Sequence, residues 1–257
     1  MQLFLGLIIP FLGTALGSAC VFFIKDELDI RVEKLLLGFA SGVMIAASVW
    51  SLIIPAIEQS SSFGKFAFLP SAIGISLGFA FLLLLDTIIP HLHPVSDELE
   101  GTKSNLSNNI LLVLAVTLHN IPEGMAVGVV LASFLNGTSV SYMQVIALTL
   151  GIALQNFPEG AIISLPLKVE NKSNFMAFVI GSLTGIVEPI AGMVTILLSR
   201  YLIMTMPYLL AFAAGAMMYV VVEELIPEAN MGKHSNIATI GFALGFIVMM
   251  ILDTFFG

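Results

Sequence analysis

Eight long apolar segments dominate this sequence and restrict its fold more than any other feature. Each is about 20 residues long, and a helix of that length crosses the roughly 30 Å hydrocarbon core of a bilayer. Only 10% of the 257 residues are charged, whereas a soluble domain carries about 25%. We therefore predict an all-α polytopic membrane protein. Its eight transmembrane helices, spans one to eight, are expected at residues 2–24, 34–57, 68–90, 108–134, 142–166, 174–200, 205–229 and 236–256.

The basic residues are distributed unevenly between the two sides of this arrangement. Seven of the nine lysines and arginines follow an odd-numbered span, and only Lys65 and Arg200 fall on the other side. Because basic loops tend to stay in the cytoplasm, both termini are predicted to lie outside it. The sequence has no basic patch with interleaved aromatic residues, so the lipid bilayer, and not nucleic acid, is the expected environment.

Spans three and eight contain the same pattern at a fixed separation of 167 residues. Ile-Gly-x-x-Leu-Gly-Phe at residues 73–79 recurs at 240–246, and Leu-Asp-Thr at 85–87 recurs at 252–254. Spans two and seven share Phe-Ala-x-Gly and Ile-Pro more loosely. Copies that lie five spans apart must run in opposite directions. We therefore predict a single domain over 1–257 with a 3+2+3 inverted repeat, which is typical of secondary transporters.

Spans four and five each contain the pattern Asn-x-Pro-Glu-Gly. The first copy is His-Asn-Ile-Pro-Glu-Gly at residues 119–124, and the second is Gln-Asn-Phe-Pro-Glu-Gly at 155–160. A charged side chain at the centre of a membrane helix costs about 2.5–3.5 kcal/mol on the mildest scale. Two glutamates at that depth need compensation, and we predict that a metal cation supplies it. The glycine after each glutamate permits close helix approach.

Helical geometry places the polar residues of each motif on one face. At about 100° per residue, each glutamate lies angularly between the first two residues of its motif. Because spans four and five are antiparallel, the two faces can meet at mid-depth and share two cations. Imidazole and carboxylate ligands suit zinc and similar ions, and amides relax the selectivity. The ligands predicted from the motifs are His119, Asn120, Glu123, Gln155, Asn156 and Glu159.

Other acids and histidines lie near the expected route of the ion. Glu188, near the centre of span six, is predicted to be a further ligand, and the alternative is a proton-bearing or structural acid. Asp86 and His91 end span three, and Glu224 ends span seven, on the cytoplasmic side by the charge argument. We predict that these three form an inner exit, and ordinary interfacial charge is the alternative.

Three other interpretations of the same residues remain open. The motifs could be kinked structural helices whose glutamates stay protonated and hydrogen-bonded. The acids could instead serve a proton-coupled antiporter or a carrier of another cation. His119 and Glu123 have the spacing of a metalloprotease pair, but the His-Glu-x-x-His pattern is absent. We therefore predict that the protein is not an enzyme.

The two motifs, Glu188-Pro189 and Glu-Glu-Leu-Ile-Pro-Glu at residues 223–228 occur in this order. Together they resemble the ZIP (Zrt-, Irt-like protein) family of metal-ion transporters, in its GufA-like branch. The resemblance implies uptake of a divalent metal into the cytoplasm across a bacterial inner membrane. Zinc is the main expected substrate, with cadmium, iron and manganese as others. It also implies a homodimer in which helices 1, 4, 5 and 6 move as a transport unit against a scaffold of helices 2, 3, 7 and 8.

The resemblance further implies a binuclear site. One half would contain His119, Glu123, Gln155 and Glu159. The other half would contain Asn120, Glu123, Asn156, Glu159 and Glu188. Many other branches of the family have a histidine in place of Gln155. The sequence departs from the family in two further places: Glu223 stands where a histidine is often found, and the loop between spans three and four lacks an extended histidine-rich stretch.

Overall fold

The computed structural model of the chain describes residues 2–24, 28–92, 99–100, 108–138, 140–171, 173–199, 201 and 205–256. Eight helical segments in these ranges are long and apolar enough to cross a membrane, which confirms the predicted all-α polytopic architecture. Their bounds are Leu5–Phe22, Ile30–Gln59, Phe68–Ile88, Val113–Leu135, Tyr142–Val169, Asn174–Ser199, Met206–Ala229 and Ile237–Phe256. We keep the names spans one to eight for these segments.

Several spans consist of more than one regular element. The α-helices are α1 Gln2–Ser18, α2 Ile30–Ala47, α3 Ile54–Gln59, α4 Phe68–Ile88, α5 Asn108–Leu135, α6 Tyr142–Asn171, α7 Asn174–Thr184, α8 Val187–Ser199, α9 Met206–Val220, α10 Ile226–Ala229 and α11 Ile237–Phe256. Between spans three and four, the short strands β1 (His91–Leu92) and β2 (Leu99–Glu100) pair antiparallel. The sequence reasoning did not anticipate this small hairpin.

Spans two and seven each contain a π-helical turn immediately before an Ile-Pro pair. The turns are Ser48–Ile53 and Val221–Leu225. In both, the isoleucine N–H donates to the carbonyl five residues earlier. A proline has no N–H and its ring crowds the preceding turn, so the helix widens locally to keep its other hydrogen bonds. The two spans therefore share a local distortion as well as a sequence pattern.

Span six is interrupted between α7 and α8, within the single segment that the sequence predicted. Because Pro189 has no N–H, the carbonyl of Gly185 instead accepts a hydrogen bond of 3.1 Å from the Glu188 N–H. Glu188 consequently lies in the first turn of α8. A helix N-terminus favours negative charge, so the break places this acid where a buried carboxylate is best tolerated.

The spans pack in four principal pairs. Span one lies against span five, span four against span six, span two against span eight, and span three against span seven. An inverted repeat that exchanges span one with six, two with seven, three with eight and four with five would map these pairs onto one another. The packing is compatible with the 3+2+3 arrangement, which stays a prediction.

Two clusters of buried apolar residues lie on either side of the central motifs. The larger joins spans two and seven to the part of span five that precedes its motif, with Met44, Met217 and Ile152 among its members. The smaller joins span one, span six and the part of span five that follows the motif, through Val21 and Ile163. The polar motifs are therefore held between two apolar layers inside the bundle.

Candidate metal site

The polar side chains of both motifs are buried inside the protein and do not face lipid. Glu123 is completely buried, and Glu159 is only 9% exposed. The other members are as deeply enclosed, and they are His119, Asn120, Gln155 and Asn156. Both motifs lie within uninterrupted helices, α5 and α6, as the sequence predicted. A lipid-facing position for the two glutamates, which would exclude a shared ion, is therefore ruled out.

Five buried oxygen atoms of these motifs accept no hydrogen bond. They are Asn120 Oδ1, Glu123 Oε1, Glu123 Oε2, Gln155 Oε1 and Glu159 Oε2. A buried polar atom without a partner costs about 1–3 kcal/mol, and more if it is charged. The alternative of a hydrogen-bonded structural glutamate is not favoured at Glu123, since neither of its oxygens accepts a hydrogen bond of normal geometry. This set of oxygens is suited to a cation.

The amide nitrogens are engaged in ways that leave amide oxygens available. Asn120 Nδ2 donates to the carbonyl of Thr184 over 3.0 Å, and Gln155 Nε2 donates to Asn156 Oδ1. Gln155 and Asn156 also lie beside Glu123, but no hydrogen bond of normal geometry reaches its oxygens. The oxygens of Asn120 and Gln155 thus remain as acceptors beside the glutamates.

Negative charge accumulates around Glu159. Its acidic neighbours are Glu123 and Glu188 on the neighbouring spans and Glu224 and Glu228 on span seven. Like charges buried together in a low-dielectric interior destabilise one another unless a cation or protons neutralise them. The electrostatics of the cluster thus favour a positively charged ligand.

Glu188 differs from the two motif glutamates because both of its oxygens have partners. Thr14 Oγ1 donates to Oε1 over 3.1 Å, and Asn156 Nδ2 donates to Oε2 over 2.8 Å. The side chain is 1% exposed and lies beside the second motif, close to Asn156. Glu188 thus has a hydrogen-bond donor for each oxygen, whereas neither oxygen of Glu123 has one.

His119 is paired with Glu224 of span seven. Its Nε2 atom contacts Glu224 Oε1, and both side chains are nearly buried. The sequence reasoning placed Glu224 at the end of its span as part of an exit. The structure brings it to the first residue of the span-four motif, and its role in an exit stays a prediction. No local pattern indicated this contact, because it depends on how span seven is rotated in its π-helical turn.

The other residues of the predicted exit have contacts of their own. Asp86 is buried, and it accepts a hydrogen bond of 2.7 Å from the hydroxyl of Tyr219. This contact joins span three to span seven. His91 begins β1, opposite Glu100.

Among the residues that the structure describes, no group of three or more histidine, cysteine, aspartate and glutamate side chains is arranged to hold a metal. Two features of the site account for this. Three of the predicted ligands are amides, namely Asn120, Gln155 and Asn156. In addition, His119 faces Glu224 and not the two motif glutamates. The motif atoms that accept no hydrogen bond are carboxylate and amide oxygens.

Span one contributes polar contacts that the sequence reasoning missed. The carbonyl of Pro10 accepts a hydrogen bond of 3.3 Å from Asn156 Nδ2, and Thr14 contacts Glu188 as described above. A threonine or a proline in an apolar helix carries no signal of such a role, because threonine usually bonds to its own helix. Only the packing of span one against span five identifies these residues.

The glycines that follow the two glutamates bring neighbouring backbones to the site. A Cβ on Gly124 would overlap the backbone of Glu188, and a Cβ on Gly160 would overlap the backbone of Thr14. Glycine is required at both positions because backbone atoms cannot rotate out of the way. Spans one and six are thereby drawn against the two motifs.

An eight-span helical bundle that encloses carboxylates, amides and an imidazole at its centre is built like an integral membrane transporter. The model of the family described as ZIP zinc transporter matches residues 94–253. The chain belongs to this family, whose members are transporters and not enzymes.

Curated relatives match over nearly the whole chain. It is 35% identical to "Zinc transporter ZIP11" of Homo sapiens over 334 residues, which cover 100% of this chain and 97% of that protein. It is 36% identical to "Zinc transporter GufA" of Myxococcus xanthus, covering 95% and 96% of the two chains. "Zinc transporter ZIPB" of Bordetella bronchiseptica is 35% identical, with 96% and 79% covered.

Proposed function

We propose that this protein carries divalent metal ions, zinc above all, across the membrane into the cytoplasm. One observation carries the proposal: the five buried and unpartnered oxygens of Asn120, Glu123, Gln155 and Glu159. Buried acceptors in this number are costly unless a cation binds them. The names of the relatives support zinc as that cation.

The ion is proposed to bind in a binuclear site between spans four and five, with Glu123 and Glu159 shared by both positions. The first position takes His119 and Gln155, and it requires His119 to leave Glu224. The second takes Asn120, Asn156 and Glu188. Imidazole, carboxylate and amide donors together suit zinc and admit cadmium, iron and manganese as weaker substrates.

The transport unit is proposed to comprise spans one, four, five and six, and the scaffold spans two, three, seven and eight. The principal packing pairs support this division, because each joins two spans of the same group. Glu224, Asp86 and His91 are proposed to receive the ion on the cytoplasmic side. We further propose a homodimer in a bacterial inner membrane with both termini outside the cytoplasm.

Radiotracer flux of zinc into proteoliposomes tests the function directly. We expect purified protein to accelerate zinc entry over protein-free liposomes of the same composition. Zinc entry no faster than in protein-free liposomes would overturn the proposal. Proton-driven flux of a different cation in the same vesicles would then support the antiporter alternative.

Replacing Glu188 with alanine is expected to change the rate or the metal preference of transport without abolishing it. Thr14 and Asn156 already donate hydrogen bonds to the two oxygens of Glu188. Glu188 is therefore expected to contribute less to the binding of the ion than the bridging pair Glu123 and Glu159, which remains in this variant. The measurement is zinc and cadmium flux in the same proteoliposomes. Complete loss of both fluxes with a normally folded variant would show that Glu188 is indispensable.

Acidification is expected to weaken zinc binding. Carboxylate and imidazole ligands must be deprotonated before they coordinate a metal, so protons compete with zinc for the same atoms. The dissociation constant, measured by calorimetry on the detergent-solubilised protein, should rise as the pH falls from about 7.5 to about 5.5. A constant affinity across this range would contradict a site built from these groups.

A further inference from the structure

Span one reaches the candidate site although residues 2–24 include no charged residue. The hydroxyl of Thr14, which is 1% exposed, donates to Glu188 Oε1 over 3.1 Å. This contact differs from the usual behaviour of helical threonines, which donate to the carbonyl one turn earlier. Thr195, for example, donates to Ala191 O over 2.8 Å. The hydroxyl of Thr14 therefore forms a hydrogen bond to another helix and not to the backbone of its own helix.

The motif glycines show that Thr14 and Glu188 occupy equivalent places in the two halves of the molecule. Gly124 of the first motif lies against the backbone of Glu188, and Gly160 of the second lies against the backbone of Thr14. The backbone of Thr14 thus lies beside the span-five motif, in the same way as the backbone of Glu188 lies beside the span-four motif. Their side chains meet between the two motifs.

The correspondence continues one helical turn further along each span. Ser18, four residues after Thr14, donates to the carbonyl of Gly160 over 3.3 Å. Gly192, four residues after Glu188, lies beside the carbonyl of Gly124. Two successive positions of spans one and six therefore match.

The break in span six encloses this pair of side chains. A Cβ on Gly185 would lie 2.8 Å from Thr14 Oγ1 and 3.0 Å from Glu188 Oε1. There is consequently little room for Glu188 to rotate away from the hydroxyl, or for a water molecule to replace it. With Asn156 on the other oxygen, the carboxylate is held at both ends.

We infer that Thr14 is a positioning residue for Glu188 and sets the geometry of the second metal position. A glutamate at this equivalent place would add another buried negative charge, whereas a threonine supplies a donor that orients the existing one. This inference rests on the proposed function. It means that span one, through Thr14, influences which metal the protein prefers.

The test compares Thr14→Val, which removes the hydroxyl but keeps the shape, with Thr14→Ser, which keeps the hydroxyl. Loss of a residue that orients a ligand costs about 10–100-fold in metal affinity. We expect Thr14→Val to weaken zinc binding by about 10-fold, and Thr14→Ser to restore it. Thr195→Val is the matched control, because its hydroxyl bonds only to its own helix. It should bind zinc like the unaltered protein.

Metal preference separates a positioning role from a packing role. We expect Thr14→Val and Glu188→Ala to shift the ratio of zinc to cadmium flux in the same direction. The double variant should shift it no further than Glu188→Ala alone. If Thr14→Val does not fold, Thr14→Ala carries the same expectations.

Two results would overturn the inference while zinc flux by the unaltered protein remains intact. One is that Thr14→Val binds zinc as tightly as the unaltered protein and has the same ratio of zinc to cadmium flux. The other is a defect in Thr14→Ser as large as that in Thr14→Val. Absence of zinc flux in the unaltered protein would instead count against the proposed function, so the two failures are distinguishable.

Discussion

Glu123→Ala is expected to abolish zinc flux and zinc binding while leaving the stability of the metal-free protein nearly unchanged. Both oxygens of Glu123 are buried without a partner, and we propose that this side chain bridges the two metal positions. Removing it deletes the shared ligand. Its loss also relieves an unpaired buried acid, which offsets the cavity left behind to within about 1 kcal/mol.

Two measurements on the same preparation check this expectation. Zinc at about 100 times its dissociation constant should stabilise the unaltered protein by about 2.7 kcal/mol and Glu123→Ala not at all. Radiotracer flux in proteoliposomes should fall to the protein-free level. Glu58→Ala is the control, since Glu58 is exposed at the end of span two. Normal zinc transport by Glu123→Ala would refute the bridging role.

Gly160→Ala is expected to destabilise the protein and to impair transport although no proposed ligand is changed. The added Cβ would overlap the carbonyl of Thr14, and a backbone atom cannot yield as a flexible side chain can. Overpacking of this kind costs about 1–3 kcal/mol. Because span one would be pushed away from span five, the hydrogen bond from Thr14 to Glu188 would also be lost. Gly124→Ala should act in the same way through span six.

Thermal unfolding in detergent, together with zinc flux, measures this effect. Gly137→Ala is the matched control because no atom lies within 4 Å of its added Cβ. Its backbone φ of 68° is unfavourable for alanine, so a cost of about 1 kcal/mol without loss of transport is expected there. If Gly160→Ala unfolded at the same temperature as the unaltered protein, the close approach of spans one and five would be unnecessary.

The eight spans and the central position of the two motifs were predictable because they depend on local chemistry. In hydrocarbon every backbone polar group must be satisfied within its own segment, so a long apolar run becomes a helix. A fixed rotation per residue then places Glu123 and its motif partners on one face. The burial of Glu123 and Glu159 follows from the same reasoning, since ionisable groups avoid lipid.

The π-helical turns and the break in span six were only partly visible in the sequence. Pro55, Pro189 and Pro227 mark the positions of all three distortions. A proline shows that a helix must adjust, but the adjustment can be a kink, a wider turn or an interruption. The surrounding packing selects among them.

The sequence alone determined the class of protein, the number of spans and the burial of the two polar motifs, because these follow from hydrophobicity and helical periodicity within single segments. Only the tertiary structure decided that His119 meets Glu224, that Thr14 holds Glu188, and which oxygens remain unpaired. Contacts between spans depend on the depth and rotation of each helix relative to the others. Interlocking of side chains across the whole bundle sets these quantities, and no pattern within one segment records them.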